Sequence, residues 1–93
     1  MVIGVLKVEL FFNNVASLKE KRRIVKSILD KVKNRFNVSV AEIDKHDTWQ
    51  LSIIGVAFIS NENSHVYRTL SLVARYIESM GRAEIIKVQT ELY

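Results

Sequence analysis

The amino-acid sequence predicts an α+β domain of the ferredoxin-like type, a four-stranded antiparallel sheet with two helices on one face. Three observations predict it. Strand-like apolar patterns occupy residues 2–12, 38–44, 49–60 and 82–93. Helical patterns at 17–36 and after Asn61 separate them in the order β-α-β-β-α-β. Right-handed crossovers then interleave two split β-α-β units into one sheet.

In residues 2–12, Val2, Gly4, Leu6, Val8, Leu10 and Phe12 share one side and are all apolar or small. Ile3, Val5, Lys7, Glu9 and Phe11 share the other. Strand side chains alternate faces, so the first set meets a core and Lys7 and Glu9 meet water or a partner. Asn13-Asn14-Val15-Ala16 supplies a turn, because Asn tolerates uncommon backbone angles and bonds to its own neighbours. Ser17-Leu18-Lys19-Glu20 is a capping box. The Ser17 hydroxyl is placed to accept from the Glu20 N–H, and the Glu20 carboxylate to accept from the Ser17 N–H. At roughly 100° per residue, Leu18, Val25, Ile28, Leu29, Val32 and Phe36 form an apolar stripe with Ile24 at its border.

Residues 38–44, rich in β-branched side chains, read as the second strand. Asp44-Lys45-His46-Asp47-Thr48 is a hairpin loop leading into 49–60, whose nearly continuous apolar run fits a central strand. Gly55 is expected to mark a bulge there. Asn61-Glu62-Asn63-Ser64 offers several N-caps for a helix built on Val66, Leu70, Val73 and Ile77, with Gly81 as its left-handed end. In 82–93, Ile86, Val88, Thr90 and Leu92 are expected inward and Lys87, Gln89 and Glu91 outward. A single domain spans 1–93, without repeats, linkers or low-complexity segments.

A chain this short buries roughly two-thirds of its unfolded surface, enough for a modest core but not a deep cavity. It contains no Cys, which excludes disulfides and thiolate chemistry. The apolar start is interrupted by Lys7 and Glu9 and has neither basic lead-in nor cleavage site, so no signal peptide is expected. No run nears the ~18 apolar residues that span a bilayer. The cytoplasm is the expected compartment, with no membrane partner.

The charge is concentrated. Residues 17–36 hold eight of the fourteen Lys and Arg against two acids, Glu20 and Asp30, a net of +6 in a chain whose total is +4. Everything outside this helix therefore sums to −2. Lys19, Arg22, Lys26 and Lys33 gather on the face beside the apolar stripe, with Arg23 and Asp30 just beyond. Cations three and four apart point the same way, a spacing suited to a phosphate backbone. The plainer reading is a solvated face that keeps the protein soluble. About five neutralised phosphates would give log K against log salt a slope near −4 to −5.

Ser17-Leu18-Lys19-Glu20-Lys21-Arg22-Arg23, the run Asn34-Arg35-Phe36-Asn37-Val38-Ser39-Val40-Ala41-Glu42, and Trp49-Gln50 leading into Gly55-Val56-Ala57 make a specific combination. Val2-Ile3-Gly4-Val5-Leu6 and the Ser60-Asn61 step belong with it. On these residues the chain resembles the YlxP-like proteins, small bacterial proteins of uncharacterised function, over essentially its whole length. The resemblance implies a ferredoxin-like fold. It also implies a link to RNA or ribosomal particles, since that family's genes commonly neighbour those for translation initiation factor two and a ribosome-binding factor. It supplies no catalytic residue. Asn13-Asn14 replaces a more typical Pro/Gly turn, and Leu51-Ser52 stands where a basic residue is often seen, so charge at Leu51 plays no part here.

The expected function is a non-enzymatic RNA- or ribosome-associated protein that binds through Lys19, Arg22, Arg23, Lys26 and Lys33. The alternative is a protein-interaction module that homodimerises through its sheet, where Ile3, Val5 and Phe11 leave apolar surface beside Lys7 and Glu9. Base readout by the sheet is not expected, because the Gly-aromatic pattern of RNA-recognition motifs is missing around 53–58. Glu42, Asp44, His46 and Asp47 read as a wet hairpin tip rather than a metal site. His65 reads as a local hydrogen-bonding residue, and Trp49 and Tyr76 as packing residues. Glu9 and Glu91 would form a carboxylate pair if adjacent; pairing with Lys7 or Lys87 is the simpler expectation. Neither cofactor nor metal is expected, and no Gly-rich phosphate loop or nucleophile–base arrangement points to an enzyme.

Overall fold

Strand β1 (Val2–Phe11) is bonded on both sides, because its inward residues are uniformly apolar and its outward ones hold only two charges. It pairs antiparallel with β3 (Leu51–Ser60) and with β4 (Glu84–Leu92), and β2 (Ser39–Asp44) completes the order β2-β3-β1-β4. Helices α1 (Leu18–Arg35) and α2 (Asn63–Ser79) supply the crossovers. This computed structural model describes residues 1–93 and has the ferredoxin-like arrangement that the sequence predicts. No helix is long and apolar enough to cross a membrane.

The core lies between the helices and one sheet face. Leu6, Val8 and Leu10 of β1 and Ile54 and Val56 of β3 pack with Ile24, Val25, Ile28 and Val32 of α1 and with Val66, Leu70, Val73 and Ile77 of α2. Gly4 belongs to this layer. A Cβ there would collide with Val66 Cγ1 and lie 2.8 Å from Leu70 Cδ1, so the missing side chain is what seats α2 on β1.

Local details differ from the sequence expectations in five places. Ser17 does accept from the Glu20 N–H at 3.1 Å, but Glu20 reaches back to the Ala16 N–H at 3.4 Å, one residue earlier than a standard capping box. The buried stripe of α1 is rotated toward Lys21 and Ile24, leaving Leu18 and Leu29 half-buried at its margin. At the start of α2 none of the Asn or Ser candidates caps. Glu62 holds that position without a side-chain bond, and the Ser60 hydroxyl serves the Glu62 N–H and His65 Nδ1 instead. Gly55 marks no bulge in its own strand: inside/outside alternation runs on through Ser52, Ile54 and Val56. The extra residue is Ile43 of β2, whose side chain lies over Gly55. In β4 a second bulge makes Ile85, not Ile86, the inward partner of Leu10, while Val88, Thr90 and Leu92 keep the expected side. Gly81 ends α2 at φ 65°, as expected.

Candidate nucleic-acid interface

Seven of the eight cations of residues 17–36 are exposed, and the eighth is fully buried. Helical spacing accounts for both. Lys21 precedes Val25, Ile28 and Val32 by four, seven and eleven residues, so it points at the sheet; Lys19, Arg22, Arg23, Lys26 and Lys33 point away.

The buried residue is structural. Lys21 Nζ lies 2.7 Å from Glu42 Oε2 and donates to the Lys45 carbonyl at 2.7 Å and the His46 carbonyl at 3.4 Å. Its three protons thus meet three acceptors. Glu42 also accepts from the Ser52 hydroxyl at 2.6 Å. The β2 bulge permits this, because Glu42 pairs with Ile54 on the helix side while Ile43 turns to the open side. The ammonium thereby ties the β2–β3 loop to α1, including Lys45, a non-glycine residue held at φ 64°. Asp44 Oδ1 accepts from the Lys45 N–H at 2.7 Å within that loop.

The five predicted contact residues lie on the solvent side of α1 and are all exposed. Two carry loose partners: Arg22 is 3.3 Å from Asp47, itself 90% exposed, and Lys26 is 3.6 Å from Asp30. Exposed pairs of this sort are worth ~0–1 kcal/mol and exchange readily for another anion. Lys19, Arg23 and Lys33 take part in none of the three ion pairs. At the helix start the ridge continues into a groove of about 460 Å³ lined by Ser17, Lys19, Glu20, Arg23, Ile24 and Arg82. Arg82 is a cation that sequence reading missed. It follows Gly81 in the connection after α2, and only the folded chain brings it beside the first turn of α1. Arg35, at the far end, stacks over the Tyr76 ring at 4.7 Å.

The acidic hairpin residues do not converge: Glu42 faces Lys21, Asp44 caps its own loop and Asp47 faces Arg22. Glu9 stands opposite Lys87 and Glu91 opposite Val5, so no Glu9–Glu91 pair exists. His65 bonds locally to Ser60 and meets the Phe58 ring edge-on at 5.1 Å. Tyr76 packs against Phe36, as expected of a packing residue. Trp49 does not; it lies outside β3 in the hairpin loop and is 45% exposed.

This is a small ferredoxin-like domain with five exposed cations ranked along the outer side of one helix. The profile of the family described as "Protein of unknown function (DUF503)" matches residues 3–90, and the chain belongs to that family. Uncharacterized protein YlxP of Bacillus subtilis (strain 168) is 37% identical over 92 residues, covering 99% of this chain and all of that one. Two solved structures share the fold. The de novo designed protein Foldit4 matches with a TM-score of 0.52 at 17% identity, covering 97% of this chain and 94% of its own. A mutant of SnoaB, a cofactor-independent oxygenase from Streptomyces nogalater, matches with a TM-score of 0.50 at 6% identity, covering 99% and 90%. At such identities the likeness is one of fold alone.

Proposed function

We propose that this protein is a non-enzymatic, cytoplasmic RNA- or ribosome-associated protein that engages the phosphate backbone with the outer side of α1. The observation that carries this reading is the exposure of Lys19, Arg22, Arg23, Lys26 and Lys33 on one side of one helix, where Asp30 lies among them and Glu20 and Asp47 stand at the margins. Arg82 extends the surface around the start of the helix. Phosphate contacts of this kind position a protein on RNA without reading its sequence, and they release counterions, so binding weakens steeply with salt.

The test is fluorescence anisotropy with labelled single-stranded and duplex RNA between 50 and 200 mM salt. Five contacts give slopes of log K against log salt near −3.5 for single strands and −4.5 for duplexes. Arg23→Glu with Lys26→Glu replaces two exposed cations, should leave the unfolding curve in place and should flatten the slope by about two. Unchanged RNA affinity in that folded double variant ends the proposal.

A further inference from the structure

The sheet face away from the helices has no covering layer. On β1 it presents Ile3, Val5 and Phe11, and on β3 Leu51, Ile53, Ala57 and Ile59. Ile43 joins from β2, turned outward by the bulge. Ile59 is 58% exposed and Ile43 48%. We infer that this face is the contact through which two copies of the chain form a symmetric dimer, helices outward.

Three features argue for a second copy as the occupant. The first is area. Three strands of nine or ten residues and one of six, spaced ~4.8 Å apart with ~3.3 Å per residue, give a footprint of roughly 500–600 Å². Two such footprints reach the ~1,000 Å² that a specific interface requires. The second is shape. Gly55, Ala41 and Ala57 floor a depression of about 380 Å³ walled by Val5, Lys7 and Ile43. Bulky side chains stand beyond it at either end of the face, Phe11 and Leu51 at one and Ile3 and Ile59 at the other. A surface with both knobs and a dent can fit itself, as a two-fold contact demands. The third is charge. The face carries Lys7 and Lys87 together with Glu9, Glu84 and Glu91, so copies can meet with opposite signs in contact.

Pairing through strand edges is disfavoured. β2 is six residues long and bulged at Ile43, and β4 is bulged at Ile86 and charged at Glu84, Lys87 and Glu91. Both are devices that block edge-to-edge addition.

The experiment is sedimentation equilibrium of the full chain from 1 to 100 µM at 150 and 500 mM salt. The expected mass is twice the 10.7 kDa of one chain at both salts, since apolar burial survives screening. Ile43→Lys with Ile59→Lys places charges at positions already half in water and should weaken association about 100-fold while retaining the native circular dichroism spectrum. Should the double variant misfold, Ile59→Lys alone should weaken it about tenfold. A wild-type monomer at 100 µM overturns the proposal, as does a dimer that persists unchanged in the folded variants. A monomer whose depression takes up an apolar fluorescent probe overturns it too, assigning the face to a small ligand instead.

Discussion

A lysine ammonium withdrawn from water costs several kcal/mol unless each of its protons finds an acceptor. Lys21 meets that condition through Glu42 and the Lys45 and His46 carbonyls. Its replacement should therefore be far more damaging than that of any cation on the outer side of α1. Lys21→Met leaves a largely buried carboxylate with the Ser52 hydroxyl as its one remaining partner and frees the β2–β3 loop. A loss of ~3–5 kcal/mol is expected, read from urea unfolding. Adding Glu42→Gln to that variant should recover part of the loss, because the stranded charge is gone; no recovery would mean the carbonyl contacts dominate. Lys33→Met, at an exposed position, should change stability by less than ~0.5 kcal/mol in the same assay.

Helix α2 reaches β1 only because Gly4 lacks a side chain. Gly4→Ala should cost ~1–3 kcal/mol through overpacking. Val66→Ala alone should also cost stability by leaving a cavity. Combined, the two should be less damaging than their sum, since Val66 Cγ1 is the atom the new methyl meets. Strict additivity in the thermal unfolding cycle would show that α2 shifts bodily instead. β4 is covered only at its two ends: Ile85 and Leu92 pack against the core, whereas Ile86 and Val88 are about half exposed although Val88 faces the helix side. An apolar alternation in an outer strand therefore sets which side a residue occupies, not how deeply it is buried.

The whole molecule measures 43 × 21 × 17 Å and carries its two proposed surfaces on opposite sides of the sheet. The RNA and dimer readings are consequently separable. For an RNA of about ten nucleotides, too short to reach two helices facing away from one another, Ile43→Lys with Ile59→Lys should leave the salt slope of wild type within about one unit. Longer RNA should lose affinity in that variant, because a dimer offers two ridges and gains from effective concentration. Equal losses for short and long RNA would place both activities on one surface.

Residues 1–93 by themselves determined the element order, the sheet topology and the outer cationic side of α1. All three follow from local rules: the periods of two and 3.6, the Ser17 cap, Gly81 after α2 and the chirality of crossovers. Lys21 shows where such rules stop. Its spacing to Val25, Ile28 and Val32 and the inward alternation of Glu42 after Val40 were both legible, but a charge on a core-facing position has meaning only once its opposite is known to stand across from it. Tertiary structure also decided the place of Arg82 beside the start of α1, the outward turn of Ile43 over Gly55 and the bulge at Ile86. Each depends on contacts between segments far apart in the chain, set by how one element packs on another, and no periodicity within a single segment encodes that.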